Sequence, residues 1–109
     1  MGQLGVLFRM AAKDMLATPA RYQFSGCCAR IINAGHKLDT SGALAARASE
    51  FFRDLYMPLE HEARARDSYW MRDTDDNYNF SRRNRYEIRN RRVLALLLCA
   101  EIADAEEAT

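Results

Sequence analysis

The sequence predicts an all-α protein, a compact bundle of four to five helices around a hydrophobic C-terminal helix. Only two prolines and five glycines interrupt the 109 residues, while the good helix formers Ala, Leu, Arg and Glu are abundant. Apolar residues also recur at helical spacing through most of the chain. A chain of this length has room for one domain, residues 1–109, with one modest core.

The first predicted helix covers Leu4 to Leu16. One helical face carries its apolar residues, which are Leu4, Leu7, Phe8, Ala11 and Met15. Thr18 is the expected N-cap of a second helix, and Pro19 suits its first turn because no backbone N–H is needed there. The apolar residues of this helix are Ala20, Phe24, Cys27, Cys28 and Ile31. We expect Gly35 to end it in the left-handed conformation.

A third helix is predicted to begin at a cap formed by Thr40 or Ser41 and to run to about Tyr56. Its pattern is the cleanest amphipathic one in the chain, with an apolar stripe formed by Leu44, Ala48, Phe51, Phe52 and Leu55. Met57-Pro58 is expected to end this helix, because proline disrupts a helix interior. A separate short helix from Pro58 to about Ser68 is plausible, with acids near its start and arginines near its end.

Residues 69–80 form the least regular segment, in which aromatic residues flank a polar centre. The pattern fits either a strand–turn–strand excursion or a loop anchored by aromatic side chains. Ser81 is the expected cap of the last helix, which runs to about Ala105. Its run Val93–Ala100 is apolar nearly all round, with Tyr86, Val93, Leu97 and Ala100 on one face, which predicts a central helix. The acids after residue 103 predict a frayed acidic tail at about 104–109.

Composition and charge narrow the class of function. The formal net charge is +1, which disfavours both a basic coat for nucleic acid and an acidic mimic of it. The longest apolar run, Val93–Ala100, is far short of the ~20 residues that cross a membrane, and the N-terminus lacks a secretory pattern. Three cysteines in apolar helical contexts indicate reduced, buried thiols in a cytoplasm.

Catalytic and metal-binding patterns are poorly represented. The two histidines, His36 and His61, and the three cysteines lack the short spacing of structural zinc ligands. The acidic run 73–77 resembles the start of a calcium loop, but Tyr78 and Asn84 stand where glycine and a bidentate acid are needed. A cysteine–histidine nucleophile pair remains open only as a spatial arrangement. We therefore expect no enzyme activity, cofactor or metal.

One segment suggests a partner. Residues 82–92, called the arginine segment below, contain six arginines and one acid, Glu87, so its local charge is six minus one, or +5. Arg82, Arg85, Arg89 and Arg92 fall within about 80° on a helical wheel and form a stripe. If the helix begins at Ser81, the first arginines lie at its positive end, where cations are unfavourable. Carboxylates of the chain itself, an acidic protein surface or nucleic-acid phosphates are the alternative counter-charges.

Aromatic residues beside the arginine segment favour a protein partner, because Tyr, Trp and Arg anchor many protein interfaces. At least one of Trp70 and Phe80 is expected to fill the core instead. The predicted partner-binding residues are Arg82, Arg83, Arg85, Arg89, Arg92, Tyr69, Trp70, Arg72 and Tyr78. The apolar run of the last helix also leaves a second copy of the chain, and hence a homodimer, as a candidate partner.

The second half of the chain resembles small accessory proteins of tailed bacteriophages and prophages. The resemblance lies in Phe51-Phe52 with Leu55 and Pro58, in Tyr69-Trp70, and in the closing run 92–103. It implies a protein of the bacterial host cytoplasm that inhibits host machinery, a host protein or a nucleoprotein complex such as CRISPR–Cas. A nucleic-acid-binding regulator that uses the arginine stripe is the alternative. The resemblance assigns no role to any single residue.

Overall fold

The described part of the protein forms four α-helices in the computed structural model. It describes the backbone of residues 2–17, 26–70 and 77–108, and the side chains of 2–17, 27–56, 58 and 90–108. The helices are α1 (Gln3–Ala17), α2 (Gly26–Leu38), α3 (Ala43–Trp70) and α4 (Asn77–Ala108). Across these described ranges there is no β-strand, which confirms the all-α prediction with four helices.

Helix α1 matches its predicted pattern most closely. All five predicted core residues are buried, and Leu7, Phe8, Ala11 and Met15 are fully enclosed. This enclosure follows from position, because α1 packs against α2, α3 and α4. Helix α1 thus packs against each of the other three helices, and the prediction of a bundle around the C-terminal helix is not confirmed.

Helix α2 continues past the residue that was expected to end it. Gly35 lies inside the helix, and the only positive φ among the described glycines is 83° at Gly42. A Cβ on Gly35 would lie 2.6 Å from the Ala45 Cβ and 2.7 Å from the Ala45 Cα. Glycine is therefore needed there for the close approach of α2 and α3. The predicted cap at Thr18-Pro19 lies outside the described residues.

The start of α3 is capped by two side chains of the preceding turn. The Asp39 carboxylate accepts hydrogen bonds from the backbone N–H groups of Ser41, at 3.0 Å, and Leu44, at 3.1 Å. The Ser41 hydroxyl accepts one from the Ala43 N–H at 3.3 Å. Ser41 thus contributes to the cap as predicted, but Asp39 is the acceptor that sequence analysis missed.

Helix α3 does not end at Met57-Pro58. It runs from Ala43 to Trp70 with Pro58 inside, so the predicted separate helix at 58–68 is its continuation. Proline removes one backbone hydrogen bond and crowds the preceding turn. Pro58 itself is exposed.

Helix α4 extends beyond its predicted bounds at both ends. It starts at Asn77 rather than after Ser81, and it remains helical to Ala108, so the predicted frayed tail is wrong. Tyr69 and Trp70 end α3, while Tyr78 and Phe80 belong to α4. Both ends of the segment 69–80 are therefore helical, which contradicts the alternative of a strand–turn–strand excursion. Arg72 and the rest of 71–76 lie outside the described residues.

The buried face of α4 differs from the predicted one. The buried residues are Arg92, Val93, Leu96, Cys99, Ala100 and Ala103. Leu97, which was assigned to the core face, is 39% exposed, and Leu94 and Leu98 are 66% and 56% exposed. Helix α4 packs against α1 and α3 on one side, so its apolar run is covered only in part.

Candidate partner-binding surface

Helix α4 is about twice as long as α1. At 1.5 Å per residue, the 32 residues of α4 span about 48 Å, whereas the 15 residues of α1 span about 22 Å. The start of α1 lies beside the end of α4, because Gly2 closely approaches Glu107 and Gly5 closely approaches Asp104. The two helices are antiparallel, so the N-terminal half of α4 continues past the end of α1.

The arginine segment falls on this extending half. The backbone at positions 82, 83, 85 and 89 is helical, and the side chains there lie outside the described part. Since α4 begins at Asn77, the first of these arginines is the sixth helical residue. The unfavourable interaction with the helix dipole, which decays within the first turn, is therefore smaller than predicted.

Arg92 does not belong to an exposed surface. It is 8% exposed, next to the buried Val93, so its prediction as a surface contact is wrong. The long aliphatic stem of arginine explains how it fits into such a place. Helical periodicity places positions 82, 85 and 89 on the side of α4 that Arg92 and Leu96 share. Positions 82, 85 and 89, which lie beyond the end of α1, are therefore on the same side of α4 as its buried residues.

Three of the described carboxylates pair with arginines that lie outside the arginine segment. Asp14 pairs with Arg30 at 2.9 Å, and Asp104 pairs with Arg9 at 2.8 Å. A longer pair joins Glu107 and Arg47 at 3.7 Å. Asp104 lies fifteen residues after position 89 on the same helix, a separation of about 22 Å along the axis. Its carboxylate cannot neutralise the arginines at the other end of α4.

Asp39 is also committed to a local role. Hydrogen bonds from the Ser41 hydroxyl, and then from the backbone N–H groups of Ser41 and Leu44, lower the pKa of its carboxyl. Hydrogen bonds to a carboxylate stabilise the ionised form, which explains the direction of the shift. Asp39 thus caps the start of α3 and lies on the turn between α2 and α3.

A second surface, which sequence analysis missed, lies on the opposite side of α4. We call it the outward face, and it consists of the exposed residues Arg91, Leu94, Leu97, Leu98 and Glu101. The leucines had been assigned to the core because the whole run is apolar. Arg91 and Glu101 lie at the two ends of the outward face. They are the sequence signal that this side of α4 faces away from the core.

The thiols differ from one another in environment. Cys27 and Cys99 are buried, and burial raises the pKa of the Cys99 thiol to about 11. A thiol with so high a pKa stays protonated at neutral pH and is a poor nucleophile. Cys28 is exposed, so the prediction that all three thiols are buried is wrong for this residue.

Within the described side chains, no group of three or more His, Cys, Asp or Glu residues is arranged to hold a metal ion. Among the helices, as far as they are described, none combines the length and apolarity that a membrane span requires.

Comparison of the chain with known protein families, with characterised proteins and with solved structures finds no match. The fold defines the class as a four-helix all-α protein, and its function must be argued from its own surfaces.

Proposed function

We propose that the chain is a phage-type accessory protein that binds and inhibits a host protein or nucleoprotein complex, for example a bacterial immune system such as CRISPR–Cas. It acts by binding, without a catalytic centre or cofactor, in the cytoplasm of the bacterial host. The contact surface consists of Arg82, Arg83, Arg85 and Arg89 together with the aromatic residues near the junction of α3 and α4.

The observation that supports this proposal is where four of the described carboxylates are used. Asp14, Asp104 and Glu107 pair with arginines of α1, α2 and α3, and Asp39 caps α3. Arg82, Arg83, Arg85 and Arg89 lie on the half of α4 that continues past α1, away from these four carboxylates. This separation supports an external anion as its counter-charge.

The residue types favour an acidic or mixed protein surface as that counter-charge. A guanidinium presents a planar fork of donors that pairs with a carboxylate through two hydrogen bonds. Tyr69 and Trp70 end α3, and Tyr78 lies in the first turn of α4, so the backbone places aromatic residues at the same end of the molecule. Aromatic residues and arginines together are the common anchors of protein interfaces.

A charge-reversal variant tests the proposal. We expect Arg85→Glu/Arg89→Glu to lose the host protein that the tagged wild-type chain captures from a bacterial lysate, with its helix content unchanged. The matched control is Lys13→Glu/Arg53→Glu, which changes the net charge equally at two exposed positions of α1 and α3. Capture of the same proteins by all three chains would contradict the proposal.

A nucleic-acid-binding regulator is the second candidate, favoured by the linear order of the stripe. Positions 82, 85 and 89 recur along one side of a helix, a pattern that suits a row of phosphates. Phosphate binding weakens by orders of magnitude from low to moderate salt, whereas an interface with aromatic anchors loses much less. Absence of binding to duplex and single-stranded DNA at low salt would remove this candidate.

The proposal also includes self-association. The exposed leucines of the outward face favour a second copy of the chain as their cover, on the side of α4 opposite the stripe.

A further inference from the structure

We infer that the host partner contributes an acidic amphipathic α-helix, which lies along α4 end to end with α1. The inference rests on the proposed function, because it specifies which element of the partner meets the arginines. Its site is the part of α4 beyond the end of α1, on the side that α1 covers further along. We call this part of α4 the distal seam.

The side of α4 that faces α1 is marked by two residues. Asp104 pairs with Arg9 at 2.8 Å and closely approaches Gly5. Val93 lies eleven residues before Asp104, which is about three helical turns, and it is buried. Residues a whole number of turns apart lie on one side of a helix. Asp104 and Val93 therefore both lie on the side that α1 covers.

Helix α1 ends at a level where α4 still continues. Leu16 lies eleven residues after Gly5, and Val93 lies eleven residues before Asp104. Because the two helices are antiparallel, Leu16 and Val93 lie at one level, about 16 Å from the contact of Gly5 with Asp104. Helix α1 ends one residue later, whereas α4 reaches back to Asn77. The distal seam, residues 77–91, is therefore about 22 Å long.

The end of α1 exposes apolar side chains of two different helices. Leu16 lies seven residues after Arg9, and Leu97 lies seven residues before Asp104. Each leucine is thus about two turns along its helix from the Arg9–Asp104 pair and on the same side as that pair. Leu16 is 54% exposed and Leu97 is 39% exposed. A helix placed end to end with α1 would cover Leu16, which is favourable.

The residues along the distal seam define the chemistry of that helix. Positions 89, 86 and 82 lie four, seven and eleven residues before Val93, which is the spacing of one helical side. They carry Arg89, Tyr86 and Arg82, whereas Leu16 and Leu97 lie at the end nearest to α1. The complementary element has carboxylates along most of its length and an apolar end. A helix presents both at this spacing, as helices that bind in grooves commonly do.

Peptide binding, measured by fluorescence anisotropy, tests the inference. The probe is a 15-residue amphipathic helix with leucines at positions i, i+3 and i+7 and glutamates beside them. Its counterpart has lysine in place of every glutamate. We expect the full-length chain to bind the glutamate peptide and not the lysine peptide. Equal binding of the two peptides, or binding of neither, would overturn the inference.

Variants of the chain locate the site. We expect Leu16→Ser to weaken binding of the glutamate peptide by about ten-fold, the order expected when a leucine loses most of its burial. The matched control is Val6→Ser, at an exposed residue of α1 about 15 Å from Leu16 along the helix. It should leave binding unchanged, and an equal loss for both serine variants would contradict the proposed site.

Neutral variants test the charged part of the seam. Arg82→Gln/Arg89→Gln should weaken binding of the glutamate peptide more than Lys13→Gln/Arg53→Gln, which removes two cations at exposed positions of α1 and α3. Equal effects would mean that net charge alone attracts the peptide, and would overturn the site.

Other occupants of the distal seam give different results. A wild-type dimer in sedimentation velocity that Leu16→Ser abolishes would show that a second copy of the chain lies there. Displacement of the glutamate peptide by single-stranded DNA at moderate salt would show that phosphates do. Either result would overturn the acidic helix.

Failure of this inference can be distinguished from failure of the proposed function. If neither peptide binds, but Arg85→Glu/Arg89→Glu still loses a captured host protein, host binding stands and only the helical form of the contact is refuted. If the glutamate peptide binds through Leu16 and no host protein depends on the arginines, the reverse holds.

Discussion

The guanidinium of Arg9 lies 2.8 Å from the carboxylate of Asp104, which joins the second turn of α1 to the last turns of α4. This contact lies within the segment 104–109 that had been expected to fray. It also shows which part of α4 lies beside α1, and therefore which part continues past it.

Removal of this ion pair should have a small effect on stability. The Arg9 and Asp104 side chains are 44% and 26% exposed, and solvent screening limits exposed pairs to roughly 0.2–1 kcal/mol. We expect a double-mutant cycle with Arg9→Ala and Asp104→Ala to give a coupling free energy in this range by urea unfolding, and a smaller one in high salt. A coupling above about 2 kcal/mol would mean that the pair is screened far less than its exposure indicates.

Gly35→Ala should destabilise the protein although alanine is the better helix former. The gain in helix propensity is at most about 1 kcal/mol, whereas the new methyl group meets the Ala45 Cβ at 2.6 Å. Separation of α2 and α3 should cost about 1–3 kcal/mol, measured as the free energy of unfolding. Ala45→Gly in the same chain should recover part of the loss. A higher melting temperature for Gly35→Ala alone would refute the close approach.

Asp39→Asn should lower the melting temperature at neutral pH. The hydrogen bonds from Ser41 and Leu44 lower the pKa of the Asp39 carboxyl, so the ionised group stabilises the folded state above the pKa of the unfolded chain. That contribution is lost as the pH falls through the lower, folded pKa. The difference between wild type and Asn variant should thus be constant near neutral pH and shrink below about pH 4. A difference that grows on acidification would contradict this cap.

The three thiols should react in an order set by burial. Cys28 is exposed, whereas Cys27 and Cys99 are buried and the pKa of Cys99 is raised to about 11. We expect iodoacetamide to label Cys28 first in the native protein, with Cys27 and Cys99 labelled only on unfolding. Mass spectrometry of digested protein gives the order. Early labelling of Cys99 would show that the core of α4 opens readily.

The helices could be predicted from sequence where local pattern and packing agree. In α1 the charged residues lie off the face that carries Leu7, Phe8 and Met15, so these three were assigned to the core correctly. In α4 the run 93–100 is apolar on all sides, and periodicity alone could not separate Leu96, which is buried, from Leu97 and Leu98.

The boundaries were missed where tertiary contacts override local signals. Gly35 indicates a helix end by itself, and only its approach to Ala45 shows that a small residue is needed inside the helix. Pro58 indicates a stop, yet α3 continues through it. For the candidate site, the arginines were visible in sequence, whereas the burial of Arg92 depends on the packing of α4 against its neighbours.

The most direct test of the central claim compares the free energy of unfolding of wild type with that of Arg85→Gln/Arg89→Gln, each at low and moderate salt. If the fold leaves these cations without full neutralisation, the neutral variant should be as stable as wild type or more stable at low salt, and added salt should help the wild type more. Arg9→Gln/Arg30→Gln, which removes two described ion pairs, should instead lose stability. A loss of more than about 2 kcal/mol in Arg85→Gln/Arg89→Gln would show that carboxylates of the chain itself hold these arginines, and would contradict the account.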